Sequence, residues 1–414
     1  MSYLDEPDAG RRIYARCEDW SRFSDPGPGV TRLYLSQQHR YAADALISWM
    51  EEAGMEAHLD AAGNVVGRYH AETGGGPYLV MGSHQDSVIE GGKYDGPLGV
   101  LTALDCVAVL NGEGRRLPFG IEVVAFGDEE GSRFRTTLAG SRAIIGDFGD
   151  DLLQATDADG VSMAKAFEAF GLDAGRVAEA AHRKDDVLGY VEVHIEQGPV
   201  LEAENLPVGV VTGISAQRRA WIHFRSEANH AGTVPMHLRT DAMAAAAEAV
   251  LIVEELAAAQ ADTVGTVGSV ETRPGLANVI CGQVTISLDL RAPSVALLDS
   301  AYDALVSRID AACRRRGVEV RQQILLDLPA CPCAPAFVGQ FEAAVRETGH
   351  RAVLMPSGAG HDGMAMSRLT DIGMLFVRCR NGVSHNPAES VAAQDVAVGA
   401  QVLLRFVRNF RPNP

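Results

Sequence analysis

Short apolar runs alternate along the chain with amphipathic stretches of helical period, the rhythm of an α/β protein. Residues 78–81 are apolar and read as a short buried strand, and Pro97 opens an apolar helix running to about Leu110. Residues 120–126 form a second strand, expected beside the first, and residues 189–195 a third. Upstream, residues 41–53 have the period of an amphipathic helix and residues 64–69 read as a small strand. The Ala- and Asp-rich stretch 150–187 reads as helical.

The character changes at about residue 214. Strands are expected at 219–224, 264–271, 284–291 and 318–325, with helices at 241–259 and 295–316. Four strands interleaved with two helices suggest an α+β sandwich inserted as a unit. The segment 329–335, with three prolines and two cysteines, reads as the return linker. After it the α/β rhythm resumes: helix 337–347, a strand near Arg351, helix 361–367, strand 372–377 and helix 391–410. One α/β domain is thus split by a smaller insert.

Polar chemistry gathers just past the strand tips. His84 and Asp86 follow the first, and a glycine-rich loop then delivers Asp95. Ligands of open α/β sheets bind beyond the carboxyl ends of strands, and a neutral imidazole with a carboxylate suits a divalent metal such as zinc. Taken alone, one His-x-Asp is better read as a polar turn with an incidental histidine; the recurrence of the same residue types at later strand ends changes that. The second strand ends in Asp128-Glu129-Glu130, three acids that repel one another and whose burial would raise their pKa values unless a cation is present. The third carries His194, placed by alternation on the face of Glu192 and Glu196. His385 follows the last strand. His84, Asp95, Glu130, His194 and His385 are more donors than one tetrahedral zinc needs, and they suffice for two metals if Asp95 bridges them.

Composition narrows the partners. A formal net charge of −18 over 414 residues argues against nucleic acid and anionic membranes. No stretch is apolar for long enough to span a bilayer, and the acidic start, residues 1–6, lacks a signal-peptide pattern. Seven scattered cysteines, with Cys331-Pro332-Cys333 the only close pair, make a disulfide framework unexpected. A reducing cytoplasm fits this usage.

Seven phrases resemble one family in its own order over nearly the whole chain. They are Gly-Ser-His-Gln-Asp-Ser-Val (82–88), Gly-Gly-Lys-Tyr-Asp-Gly-Pro-Leu-Gly-Val (91–100), Glu-Glu-Gly-Ser-Arg-Phe (129–134) and Val-His-Ile-Glu-Gln-Gly-Pro-Val-Leu-Glu (193–202). Asn-His-Ala-Gly-Thr-Val-Pro-Met (229–236), Ser-Gly-Ala-Gly-His-Asp (357–362) and Ser-His-Asn-Pro-Ala-Glu (384–389) complete the set. The sequence resembles the amidase/hydantoinase/carbamoylase family of binuclear metallo-hydrolases, relatives of aminoacylases and zinc exopeptidases.

The resemblance implies a catalytic α/β domain of the zinc-exopeptidase type, residues 1–213 and 328–414, and an inserted lid and dimerisation domain, residues 214–327. It implies two divalent metals per subunit, zinc, manganese, cobalt or nickel. One is assigned to His84, Asp95 and His194, the other to Asp95, Glu130 and His385. Glu129 is then the general base that takes a proton from the metal-bridging water, and Asp86 orients His84. Gln217, Asn278 and Arg291 are implied as substrate contacts, with His230 as an oxyanion donor from the partner of a homodimer. Arg291 is a sensible fork for a carboxylate, its alternative being a surface salt bridge; His361 receives no role. The implied reaction is hydrolysis of a ureido C–N bond in a small carboxylate. Residues 374–385 look closer to the purine-catabolic ureide hydrolases, which points to allantoate, with N-carbamoyl-L-amino acids or ureidoglycolate as alternatives. A dipeptidase or aminoacylase, and a non-catalytic binding protein on the same fold, are the remaining rivals.

Overall fold

The computed structural model describes residues 8–412; the acidic start at residues 1–6 lies outside them. The chain divides into two compact units, one running to Thr212 and resuming at Pro332, the other Gly213–Cys331.

The first unit opens with helices Asp8–Trp20 and Gln37–Glu52. The second begins four residues before the expected start because Ser36 caps it, its side chain accepting from the His39 N–H. Strands β1 (Glu56–Leu59), β2 (Val65–Tyr69), β3 (Tyr78–His84), β4 (Gly120–Phe126), β5 (Val187–Ile195) and β6 (Val208–Ile214) follow. Neither β1 nor β6 was expected, being short or glycine-interrupted. The stretch 150–187 is only partly helical, with Asp150–Gln154, Met163–Phe170 and a 3₁₀ segment at Ala174–Ala180.

In the second unit the strands are β7 (Ala216–Arg225), β8 (Asn229–His230), β9 (Val264–Thr266), β10 (Val270–Arg273), β11 (Val279–Ile280), β12 (Gln283–Ala292) and β13 (Glu319–Leu328). Five form an antiparallel sheet in the order β10-β12-β7-β13, with β9 also on β12, and helices Ala242–Ala258 and Val295–Arg316 pack on it. The strand expected at 264–271 is broken because β9 and β10 pair with β12 in registers one residue apart. Ser287 Oγ holds the step, accepting from Gly268 N at 3.0 Å and Ser269 N at 2.9 Å.

The chain re-enters the first unit as β14 (Cys331–Pro332), β15 (Leu354–Ser357) and β16 (Ile372–Val377). The strand expected near Arg351 lies a few residues later, as β15. The helix expected at 361–367 is one turn, Gly363–Met366, and the last helix is Ala393–Asn409. The nine-stranded sheet runs β1-β2-β4-β3-β5-β16-β6-β14, with β15 on β6. Its centre, β4-β3-β5-β16, is parallel. The chain goes from β3 to β4 on one side and returns to β5 on the other, so the sheet's switch point lies beside β3. Leu79, Met81, Ile121, Val123, Val191, Val193, Leu375 and Val377 alternate onto one face, where they join the core of helices Pro97–Gly112 and Ala393–Asn409. The Pro97–Gly112 helix is apolar nearly all round because it is buried nearly all round. All seven cysteines are buried, and among the described residues no helix is long and apolar enough to cross a membrane.

Candidate active site

The four parallel strands end on one edge, and each end supplies part of one cluster. His84 is the last residue of β3 rather than a residue beyond it, and His194 lies one residue from the end of β5. The turn after β4 brings Glu129 and Glu130, and the loop after β16 brings His385. Asp95 arrives on the loop between β3 and the Pro97–Gly112 helix. Gly96 makes that arrival possible: its φ is 82°, and a Cβ there would lie 2.5 Å from the His84 carbonyl oxygen.

Asp95 is the centre. Its Oδ1 lies 3.1 Å from His194 Nε2 and 3.6 Å from His84 Nε2, and its Oδ2 3.2 Å from His385 Nε2. His385 Nε2 is also 3.5 Å from Glu130 Oε1. The ligand atoms of His84, Asp95 and His194 lie within 4.8 Å of one another, as do those of Asp95, Glu130 and His385. The five sequence-derived donors are therefore brought together in two trios sharing Asp95.

The donor set fits cations. His84 Nδ1 donates to the main-chain oxygen of Asp86 at 3.0 Å, and His194 Nδ1 to that of Ile195 at 2.9 Å. A carbonyl can only accept, so both neutral rings carry the proton on Nδ1 and turn the Nε2 lone pair toward Asp95. The buried Nε2 of His194 makes no hydrogen bond among the described residues. The carboxylates are crowded. Burial pushes Glu129 well above the usual carboxylate range, with Glu130, Asp362 and Asp86 adding to it against the pull of His84. Burial and then Asp95 raise Glu130 to about 7. Asp95 goes the other way: burial opposes it, yet the imidazoles of His194, His385 and His84 facing it hold it well below the usual range. The Asp95 hydrogen bond raises His385 to about 9. Protons on the histidines and on Glu130 thus stand where divalent cations would supply the positive charge.

Around these donors lies a ring of supporting groups. Asp86 reaches His84 through its main-chain oxygen, while its carboxylate sits 3.8 Å from His84 Nδ1 and accepts instead from the N–H groups of Glu129 (3.1 Å) and Glu130 (3.2 Å). Its carboxylate therefore shapes the turn that carries the candidate base. Asp128, the first of the three acids, is buried with φ 61° and accepts from Thr136 Oγ1. Glu192 shares the His194 face as alternation predicts, accepting from Ser83 Oγ at 2.7 Å and Tyr190 at 3.0 Å. Glu196 does not join them; it caps the next turn through the N–H groups of Val200 and Leu201. His361 is buried 4.5 Å from the His194 ring and 2.8 Å from Ser357 Oγ. Gln197 and Ser384, missed by sequence reasoning, donate to Asp95 Oδ2 at 3.0 and 2.8 Å. Their only signal was membership of phrases whose histidines drew the attention.

The proposed substrate contacts all lie in the second unit. Gln217 and Arg291 are register partners on β7 and β12, and both bind Asp289. The Arg291 guanidinium closes on that carboxylate with Nε at 2.8 Å and a terminal nitrogen at 3.0 Å, the salt bridge of its alternative reading. His230 and Asn278 are exposed on the small β8–β11 ribbon, where the Ala231 N–H donates to the Asn278 oxygen.

Residues 80–409 match the model of peptidase family M20/M25/M40. The chain belongs to peptidase family M20/M25/M40. This M20 hydrolase is 41% identical over 401 residues to an N-carbamoyl-L-amino acid amidohydrolase of Geobacillus stearothermophilus, covering 96% of this chain and 98% of that one. It is 39% identical to a probable allantoate deiminase of Oryza sativa subsp. japonica, over 95% of this chain and 87% of the other. A crystal structure of an amidase of the hydantoinase/carbamoylase family from Burkholderia multivorans superposes on it with a TM-score of 0.91 at 31% identity, covering 98% of both chains.

Proposed function

We propose that this chain is a two-metal amidohydrolase that cleaves a ureido C–N bond of a small carboxylate, with allantoate as its substrate. The observation that carries the reading is the pair of trios sharing Asp95, with Glu129 beside them. His84, Asp95 and His194 would hold one divalent cation, and Asp95, Glu130 and His385 the other. Zinc, manganese, cobalt and nickel all accept imidazole and carboxylate. Such cations supply Lewis acidity toward the ureido carbonyl and the attacking water.

The chain's own groups do the rest. Glu129 takes a proton from the water on a carboxylate oxygen as the water oxygen bonds to the ureido carbon. It returns that proton to the departing nitrogen, which leaves as ammonia when the C–N bond breaks. Asp86 keeps Glu129 in reach by holding its N–H. Gln217, Asn278, Arg291 and His230 are assigned to substrate recognition, Arg291 adding the substrate carboxylate to its Asp289 partner.

Allantoate is favoured by residues 374–385, which resemble the ureide hydrolases, and by the plant allantoate deiminases among the relatives. The bacterial N-carbamoyl-L-amino acid amidohydrolases support the second reading. A panel of metal-reconstituted enzyme against allantoate, N-carbamoyl-methionine and N-carbamoyl-phenylalanine, followed by ammonia release, decides between them. A site built to hydrogen-bond a second ureido arm rejects analogues lacking it strongly, so kcat/KM should be highest for allantoate. Equal or higher values for the carbamoyl amino acids would overturn that choice.

We assign a homodimer to the second unit, and a cytoplasmic location suits the seven scattered, buried cysteines. The dimer reading is supported by an apolar groove of about 370 Å³ lined by Met243, Val250, Leu251 and Val270, next to the open edge strand β10.

A further inference from the structure

Glu389 is an acid of the last loop, only 4% exposed. It lies four residues beyond His385, yet its carboxylate reaches into the loop that delivers Asp95. Oε1 accepts from the main-chain N–H groups of Tyr94 at 2.8 Å and Asp95 at 3.1 Å. Oε2 lies 3.2 Å from Ser384 Oγ, which donates to Asp95 Oδ2 at 2.8 Å. One carboxylate therefore fixes the main chain of Asp95 and, through Ser384, the oxygen of Asp95 that faces His385.

The backbone is shaped to admit it. A Cβ on Gly92 would fall 2.1 Å from the carboxyl carbon and Oε1 of Glu389, so a side chain at 92 would displace the carboxylate. Burying a carboxylate is costly, and an apolar side chain of similar volume serves folding as well or better. What an apolar side chain cannot do is accept the Tyr94 and Asp95 N–H groups while standing against Ser384, and these three contacts all go to the segments carrying Asp95 and His385.

We propose that Glu389 is a positioning residue that sets the separation of Asp95 from His385 and so tunes the cation held by Asp95, Glu130 and His385. The effect falls on that trio more than on the other. His84 and His194 ride on strands β3 and β5 with rings fixed by main-chain carbonyls, whereas Asp95 and His385 come from loops and the His385 side chain is 50% exposed. This rests on the two-cation reading above.

The test is a competition titration of apo protein with Zn²⁺ against a chromogenic chelator, with circular dichroism confirming the fold of each variant. Wild type should take up two ions. Glu389→Ala should weaken one of them about 10- to 100-fold, the usual consequence of losing an outer hydrogen-bond partner, and weaken the other much less. Glu389→Gln keeps an acceptor at Oε1 and offers an N–H to Ser384, so it should restore most of the affinity. Gly92→Ala keeps the carboxylate but displaces it, and should repeat the selective loss even if Glu389→Ala fails to fold. Unchanged affinity in Glu389→Ala or Gly92→Ala, equal weakening of both ions, or a Gln variant as weak as Ala would overturn the inference. A wild-type chain that binds fewer than two ions would instead remove the two-cation reading beneath it.

Discussion

Glu130→Gln separates what the acidic cluster costs the metal-free fold from what it contributes once cations are bound. Burial, and then the Asp95 carboxylate, raise the Glu130 carboxyl from 4.5 to about 7. At about 1.4 kcal/mol per pH unit, that displacement makes the ionised side chain a burden of about 3 kcal/mol on the apo protein. The direction follows from linkage. An acid whose folded value is raised contributes stability that is complete below its unfolded value and is lost as pH rises through the folded one. Glutamine cannot ionise. In chelator near pH 4 the variant and wild type should therefore unfold at similar denaturant concentrations, while near pH 8.5 the variant should be more stable, by at most about 3 kcal/mol. Saturating divalent metal should reverse the order, because binding to the native state stabilises it and the variant lacks one ligand. The assay is urea unfolding followed by tryptophan fluorescence at both pH values, with and without metal. An apo variant no more stable than wild type at the higher pH would mean that Glu130 is comfortable ionised without a cation, and the electrostatic case for one would fail.

The other predictions concern catalysis, metal and assembly. Glu129→Gln should retain two cations yet lose about 10²- to 10⁴-fold in kcat, the typical worth of a positioned proton acceptor; turnover near that of wild type would leave the mechanism without its base. Elemental analysis of fully active protein should give about two divalent ions per chain, and chelation should abolish activity reversibly. Activity should also fall in acid as the histidine ligands protonate and release metal, and excess metal should move that fall to lower pH. Leu251→Glu should turn the proposed dimer into a monomer by sedimentation, because it places a charge in the apolar groove; a wild-type monomer would remove that interface.

The organisation of the first unit was legible because its strands are buried on both faces and read as near-continuous apolar runs. β4 appears with the bounds its sequence suggests, and β3 differs only by extending to His84. The failures have local causes. β6 contains Gly209 and Gly213 and has an exposed Thr212 before its buried last residue, so neither periodicity nor propensity marked it. The break between β9 and β10 depends on the hydroxyl of Ser287, a residue nearly twenty positions away. In the site, residues that stand at strand ends could be found, since a tip is visible as the end of an apolar run. Gln197, Ser384 and Glu389 could not, because they act on Asp95 from loops whose approach only the folded chain reveals.

The place of β16 has a consequence for how the molecule is made. It lies between β5 and β6 in the interior of the sheet, yet it comes after the whole second unit in sequence. During synthesis β5 emerges with one edge open, and β6 emerges before any of its partners β14, β15 and β16, so both must wait while residues 213–331 are added. The second unit has its own core and can fold in that interval, acting as a spacer that emerges complete while its host is still open. The nascent first unit meanwhile exposes the free edge of β5 and a wholly unpaired β6, the kind of strand edge that recruits the wrong neighbours. A chain interrupted before residue 372 therefore lacks a strand from the middle of its sheet, and overproduction should yield aggregates of such fragments rather than soluble, metal-free enzyme.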